Sequence, residues 1–139
     1  MGITITATKP KYTFDMGYGG FRNLRTNIAL AINKEFGKNY AAIVYCDSKE
    51  SYEENDRIAN ELIKKYNLSK YDDILDFLYN SDYGGKISYK TCKHIYDLIK
   101  DIDYEDQYFR YAIIAHNDYN EFKEFLIDCY SNRKNMIYF

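Results

Sequence analysis

The stretch NSDYGGKISYKT, residues 80–91, has the outline of a calcium-binding loop. With Asn80 in the first ligand position, the other side-chain ligands fall on Asp82, Gly84, Ser88 and Thr91, and Lys86 offers its carbonyl. Gly85 takes the turn position and Ile87 the apolar one. The ligand chemistry fails where the outline succeeds. Calcium is held by several carboxylate oxygens, among them a bidentate Glu that closes the loop. Here one carboxylate remains, Gly84 has no side chain to offer, Thr91 is not a bidentate ligand, and no second loop accompanies the first. The stretch reads instead as a glycine turn, an inward Ile87 and a Ser88 hydroxyl that caps the next helix.

A second candidate is Gly17-Tyr18-Gly19-Gly20, which leads into a helical pattern carrying Arg22 and Arg25. Backbone N–H groups at a helix start and two guanidinium groups are the chemistry of an oxyanion site. Gly19, Gly20, Arg22 and Arg25 are therefore the residues that a nucleotide or another phosphorylated molecule would meet. The loop lacks the Gly-Lys-Ser/Thr ending of a phosphate-binding loop and the spacing of a dinucleotide fingerprint. A hairpin-to-helix turn with two solvated arginines accounts for the same letters.

The remaining reactive types are scattered. His116-Asn117-Asp118 puts a histidine beside a carboxylate, but chain neighbours rarely face each other, and Asp118 suits a helix N-cap. Cys92 and His94, two apart, point different ways on a helix. Three cysteines and two histidines show no zinc-ligand spacing. No nucleophile elbow or paired-carboxylate site is recognisable. The expectation is a protein without catalytic residues, metal or cofactor, an enzyme of unnamed reaction being an alternative.

These residues need elements to position them. Ile3-Thr4-Ile5-Thr6-Ala7 and Tyr12-Thr13-Phe14-Asp15-Met16 alternate with period two around Lys9-Pro10-Lys11, the pattern of a β-hairpin. Phe21, Leu24, Ile28, Ile32 and Phe36 form one apolar stripe, which predicts a helix over 21–36 ended by Gly37. Residues 40–46, YAAIVYC, lean to helix because alanine is a poor strand former. Ser51 opens a helix to Tyr66 with Ile58, Leu62 and Tyr66 inward. Ser69 is the expected cap of a short helix carrying Ile74, Leu75 and Leu78. Ser88 opens a helix through Ile102, with Cys92, Ile95 and Ile99 on one face. Residues 106–115 read as helical. Asp118 to Ser131 completes the set, with Tyr119, Phe122, Leu126 and Cys129 inward. The tail Met136-Ile137-Tyr138-Phe139 is too apolar to dangle and is expected to dock as a strand or a packed tail. The expected fold is a single α+β domain over 1–139: an N-terminal β-hairpin packed on a mainly helical body of about five helices.

Composition narrows the function class. No apolar run reaches membrane-spanning length, and the start lacks a secretory block, so no membrane association is expected. Cys46, Cys92 and Cys129 are odd in number and far apart, which argues for a reducing compartment and a cytoplasmic location. Net charge is −2, so no direct nucleic-acid binding is expected. The charge is split: six basic against two acidic side chains in 1–45, five against ten in 46–82, and eight against nine in 83–139. Seventeen tyrosines suit half-exposed contact surfaces, although Lys, Asn, Ile and Tyr are also what an AT-rich genome encodes. Tyr18 and Tyr83, with the acidic Asp101, Asp103, Glu105 and Asp106, are the candidate partner-binding residues. A tyrosine-rich patch would favour a complex with another protein or a homodimer.

Three passages, FDMGYGGFRNLRTNIA at 14–29, GGKISYKTCKHIYDLIKDID at 84–103 and HNDYNEFKEFLIDCYSNRKNM at 116–136, resemble a family of small uncharacterised proteins of phages and prophages of low-GC Gram-positive bacteria. The resemblance implies an accessory protein of the host cytoplasm that binds a host protein or complex stoichiometrically, as anti-CRISPR and other anti-defence inhibitors do. It transfers no catalytic residue. A nucleotide-sequestering protein built on the glycine turn and the arginine pair is the alternative.

Overall fold

A computed structural model describes residues 2–44, 48–80, 84–102 and 116–139. Strands β1 (Gly2–Thr6) and β2 (Phe14–Gly17) form the expected antiparallel hairpin, with Ile3 opposite Met16 and Ile5 opposite Phe14. Two more strands, β3 (Gly85–Ile87) and β4 (Met136–Tyr138), complete a sheet of order β2-β1-β4-β3, antiparallel throughout. The apolar tail thus docks as a strand, and it takes a central place. Thr4 and Phe139 exchange backbone hydrogen bonds of 2.7 and 3.0 Å.

Strand periodicity puts the apolar side chains on one face. Phe14, Ile5, Tyr138 and Gly85 stand opposite one another in a row across all four strands. Ile3, Ile5, Phe14, Met16, Ile87, Met136 and Tyr138 are all buried. Gly85 has a steric reason to be glycine: a Cβ there would lie 2.4 Å from the Tyr138 phenol oxygen. Ile87 packs inward as expected, but Gly84-Gly85 was expected to be only a turn. Three residues are too few for a periodic signal, and the pairing with β4 makes Gly85–Ile87 a strand.

The helical body covers this face. It comprises α1 (Tyr18–Ile32), α2 (Lys34–Val44), α3 (Lys49–Lys65), a 3-10 turn (Leu68–Tyr71), α4 (Asp72–Tyr79), α5 (Tyr89–Ile99) and α6 (His116–Ser131). Phe14 packs edge-on against Phe122 and Phe125 of α6, with ring centroids 5.7 and 5.6 Å away. Tyr138 packs against Phe21 of α1 and Phe77 of α4, at 5.2 and 5.7 Å. The fold is α+β, and among the described residues no helix is long and apolar enough to cross a membrane.

Several expected boundaries move, each for a local reason. The stripe over 21–36 is two helices, because Asn33 is extended (φ −165°, ψ 130°) and its side chain accepts the Phe36 N–H at 2.9 Å. Gly37 lies inside α2 and ends nothing. A Cβ there would stand 2.5 Å from the Leu30 backbone, so glycine lets α2 fold back closely on α1. Residues 40–44 are helical, and 45–47 lie outside the described residues. The cap of α3 is Ser48, which accepts from the Ser51 N–H at 3.1 Å. Leu62 is buried as expected, whereas Tyr66 is exposed and Ala59 takes an inward place.

Ser69 caps no helix: it sits within the 3-10 turn, and α4 starts after Tyr71 without a side-chain cap. Ile74, Leu75 and Leu78 are inward, as their spacing requires. Ser88 does cap α5, accepting from the Lys90 N–H at 3.2 Å, but α5 stops at Ile99, short of Ile102. Helix α6 begins at His116, so Asp118 lies inside its first turn and is not the cap. Phe122, Leu126 and Cys129 are buried. The 106–115 helix and the Tyr119 side chain lie outside the described residues.

Candidate functional site at the end of helix α4

Helix α4 is short and strongly two-sided. Ile74, Leu75, Phe77 and Leu78 are buried, while Asp72, Asp76 and Tyr79 face outward. The chain leaves the helix at Asn80 in an extended conformation. Three concavities meet there. The first, about 200 Å³, is lined by Arg22 and Arg25 of α1, Tyr40 of α2, Tyr52 of α3, and Tyr79 and Asn80. The second, about 300 Å³, is lined by Asp56, Asn60 and Ile63 of α3 and by Leu75, Asp76 and Tyr79. The third, about 310 Å³, runs from Asp73 and Asp76 to Lys86, Ser88 and Thr91. Asn80 borders all three. The first is basic and aromatic, the second acidic, the third of mixed charge.

Packing fixes the aromatic part. The Tyr40 hydroxyl donates to the Leu78 carbonyl at 2.8 Å, which satisfies a buried phenol with a last-turn carbonyl of α4. Its ring meets Tyr79 edge-on at 5.7 Å. The Tyr79 hydroxyl is pushed up to about 12, chiefly by burial, then by the Asp56 carboxylate and Tyr52. Tyr79 therefore stays a neutral hydrogen-bonding phenol over the whole physiological range.

Arg25 joins the cavity to the core. It is 3% exposed. Its guanidinium lies 4.3 Å from the Phe21 ring centroid, 5.1 Å from Phe77 and 5.6 Å from Tyr138. One of its nitrogens donates to the Tyr138 hydroxyl at 3.4 Å. Such a cation over desolvated rings is strongly positioned. The solvated-arginine reading of the sequence is wrong for Arg25. Arg22, one turn earlier and half-buried, lines the same cavity.

The fold splits the proposed glycine–arginine constellation. Arg22 and Arg25 come together, but Gly19 and Gly20 occupy the first turn of α1 and do not line the cavity. A Cβ at Gly19 would meet open space, and one at Gly20 would make ordinary contact with Met16 at 3.4 Å. Neither glycine is demanded by a close approach. Tyr18 is half-buried against the core. Asp101 is exposed just beyond α5 and away from the three concavities. Tyr83, Asp103, Glu105 and Asp106 lie outside the described residues.

One juxtaposition was invisible in the sequence. His94 of α5 meets Asp73 of α4, its Nδ1 2.9 and 3.1 Å from the two carboxylate oxygens, and its ring stacks on Tyr71 at 5.3 Å. The residues are 21 apart in the chain, and only the packing of α4 on α5 brings them together. An oriented imidazole is half of an acid–base device, but here it also ties two helices and the 3-10 turn. Among the described residues, no group of three His, Cys, Asp or Glu converges to hold a metal ion.

The molecule so defined is a helical body folded over one face of a four-stranded antiparallel sheet, with a concave aromatic surface at one helix end. No protein-family model matches this chain, and neither the curated proteins nor the solved structures give a match.

Proposed function

We propose that this protein is a small phage-type accessory protein that acts by stoichiometric contact with a host macromolecule, in the manner of an inhibitor of a bacterial defence system. The observation that carries the reading is the convergence at Asn80. Basic, acidic and mixed concavities adjoin one another there, with the exposed ring of Tyr79 between the first two and that of Tyr52 on the first. Tyrosine and arginine set in concavities are the usual anchors of protein–protein recognition, and mixed charge around them selects the partner. The resemblance of residues 14–29, 84–103 and 116–136 to phage proteins supports the setting.

The test is a plating assay. Host cells with an active defence system, such as a CRISPR effector, express the chain and are challenged with phage. Recovery of plating, together with a complex of fixed stoichiometry between chain and effector on size exclusion, supports the reading. Recovery should vanish in Tyr52→Ala/Tyr79→Ala. Unchanged plating across a panel of defence systems, with no complex formed, defeats it.

A second reading rests on a different observation, the shared cavity of Arg22 and Arg25. In it the protein sequesters a nucleotide or other phosphorylated molecule, with guanidinium groups toward the phosphate and tyrosine rings beside the base. A thermal-shift screen against nucleotides decides: a shift that Arg22→Ala abolishes supports it, and no shift with any nucleotide removes it.

A further inference from the structure

The third concavity lies along an open edge of the sheet. In the order β2-β1-β4-β3, strand β3 pairs with β4 on one side and, among the described residues, with no strand on the other. The cavity of about 310 Å³ is lined by Lys86, Ile87 and Ser88, consecutive along the chain, and by Asp73, Asp76 and Phe77 of α4. No residue of β4 borders it. It therefore runs beside β3 on the side away from β4, a groove with a strand for one wall and a helix for the other.

The ladder fixes which backbone groups face the groove. Thr4 and Phe139 exchange both hydrogen bonds, so Phe139 turns its N–H and C=O toward β1. These directions alternate along an antiparallel strand. Tyr138 and Met136 therefore turn theirs toward β3, where Gly85 and Ile87 stand opposite them. Lys86, between those two, points its own N–H and C=O outward at the open edge. Its side chain is exposed on the outer face of the sheet, whereas Ile87 beside it is buried under the helices.

We propose that an extended segment of a partner protein adds to this edge as an antiparallel fifth strand, its central residue bonded through backbone N–H and C=O to Lys86. The inference rests on the reading of the Asn80 surface as a contact site for a host macromolecule, and it names the element received. In strand addition main-chain bonds supply affinity and alternate side chains supply specificity. The central side chain of the added strand falls on the outer face beside the Lys86 ammonium, which selects an acidic residue. Its two neighbours turn inward to the groove, where the carboxylates of α4 select a basic residue. Asp73 already holds His94 at 2.9 Å, so the exposed Asp76 is the stronger determinant. A second copy of this chain is the wrong occupant. Pairing β3 with itself about Lys86 sets two ammonium groups directly opposite, and a lysine on a short edge strand is a common guard against such pairing.

The experiment titrates the full chain into the fluorescein-labelled peptide Thr-Val-Lys-Glu-Lys-Val-Thr and follows anisotropy. One control peptide exchanges the Lys and Glu residues. Another carries a methyl group on the backbone nitrogen of the central Glu, which blocks its bond to the Lys86 carbonyl. Saturable binding of the first peptide is expected, with each control weaker by roughly tenfold or more. Lys86→Pro removes the outward N–H and no bond to β4, so the variant should keep its circular dichroism and lose roughly tenfold in affinity. Asp76→Lys should reverse the preference between the first peptide and the charge-exchanged one. No saturable binding of the first peptide, equal binding of the methylated peptide, or unchanged affinity in a folded Lys86→Pro would each overturn the inference. The methylated peptide tests the unaltered chain, so the result stands even where a variant fails to fold. The plating assay judges the broader reading separately. Recovery of plating without peptide binding defeats the groove alone, and peptide binding without recovery defeats the host reading and leaves the groove.

Discussion

The sheet row at Tyr138 and the surface at the end of α4 are both built from tyrosine, and both involve Arg25, yet they use the ring in opposite ways. Tyr138 is fully buried, packed by Phe21 and Phe77 and bonded through its hydroxyl to Arg25. Tyr79 is 43% exposed and presents its ring between a basic and an acidic concavity. A tyrosine-rich composition therefore does not by itself announce a contact surface. Some of these rings close the core, and others rim the surface. The division predicts that changes at the first place cost stability and changes at the second cost recognition.

The largest effect should come from Tyr138→Ala. It deletes a fully buried ring, leaves a cavity under Phe21 and Phe77, and takes away the hydroxyl that Arg25 bonds. A loss of about 3–5 kcal/mol is expected from large-to-small aromatic substitutions in cores. Urea titration followed by circular dichroism measures it. A loss under about 1 kcal/mol would mean that the row is no rivet and would break the comparison.

Next in size is Gly85→Ala. Its Cβ would stand 2.4 Å from the Tyr138 hydroxyl and 2.6 Å from the ring carbon that bears it. The ring must give way, at a cost of about 1–3 kcal/mol typical of overpacking. Tyr138→Phe removes the hydroxyl and should recover part of that cost, because neighbours in contact are not additive. If the two substitutions simply add, the steric account of Gly85 is wrong.

The sequence made much of this division legible, and its failures have a common form. The hairpin, the inward face of α5 and, in α6, the inward Phe122, Leu126 and Cys129 follow from periodicity within one segment, the docked tail follows from its apolar composition, and these are present. What stayed hidden depends on a second segment. Strand β3 exists because β4 lies beside it, and Gly37 is glycine because Leu30 crosses it. His94 meets Asp73 only across a helix pair. At the candidate site, Arg22 and Arg25 were readable as a pair because they share one helix face. Tyr40, Tyr52 and Tyr79, which enclose them, arrive from three other helices and left no local signal. Asn33 is the exception: an N-cap residue stood in plain view, and the apolar stripe running past it to Phe36 masked the break.

The pH behaviour of Tyr79 sharpens the contrast at its surface end. Its hydroxyl is raised from 10.0 to about 12 in the folded chain, so the folded state holds this proton more tightly than the unfolded state. The stabilisation is fully present below pH 10, and it declines as pH rises through the folded value of about 12. The phenolate band in the near ultraviolet should show a late-titrating component, and Tyr79→Phe should reduce it, leaving the part due to Tyr12, which its hydrogen bond to Glu124 also raises. Half-exposure to solvent keeps the effect on stability small.

The smallest stability change and the largest functional one should coincide in Tyr52→Ala/Tyr79→Ala. Tyr52 is 48% and Tyr79 43% exposed, so truncating both rings removes surface of which about half is solvated, together with the edge contact of Tyr79 on Tyr40, while the Tyr40 hydroxyl keeps its bond to the Leu78 carbonyl. A stability change within about 1 kcal/mol is expected, in the range of surface substitutions. Anchoring aromatics at the centre of an interface typically contribute about 2 kcal/mol or more each, so losing one ring should lower partner affinity roughly thirtyfold, and losing both by more than that, up to roughly a thousandfold if they act independently. Calorimetric titration of the purified partner, with thermal unfolding of the variant alone as control, separates the two quantities. Equal affinity in parent and variant would show that the rings at α4 are ordinary surface, and only the buried half of the comparison would stand.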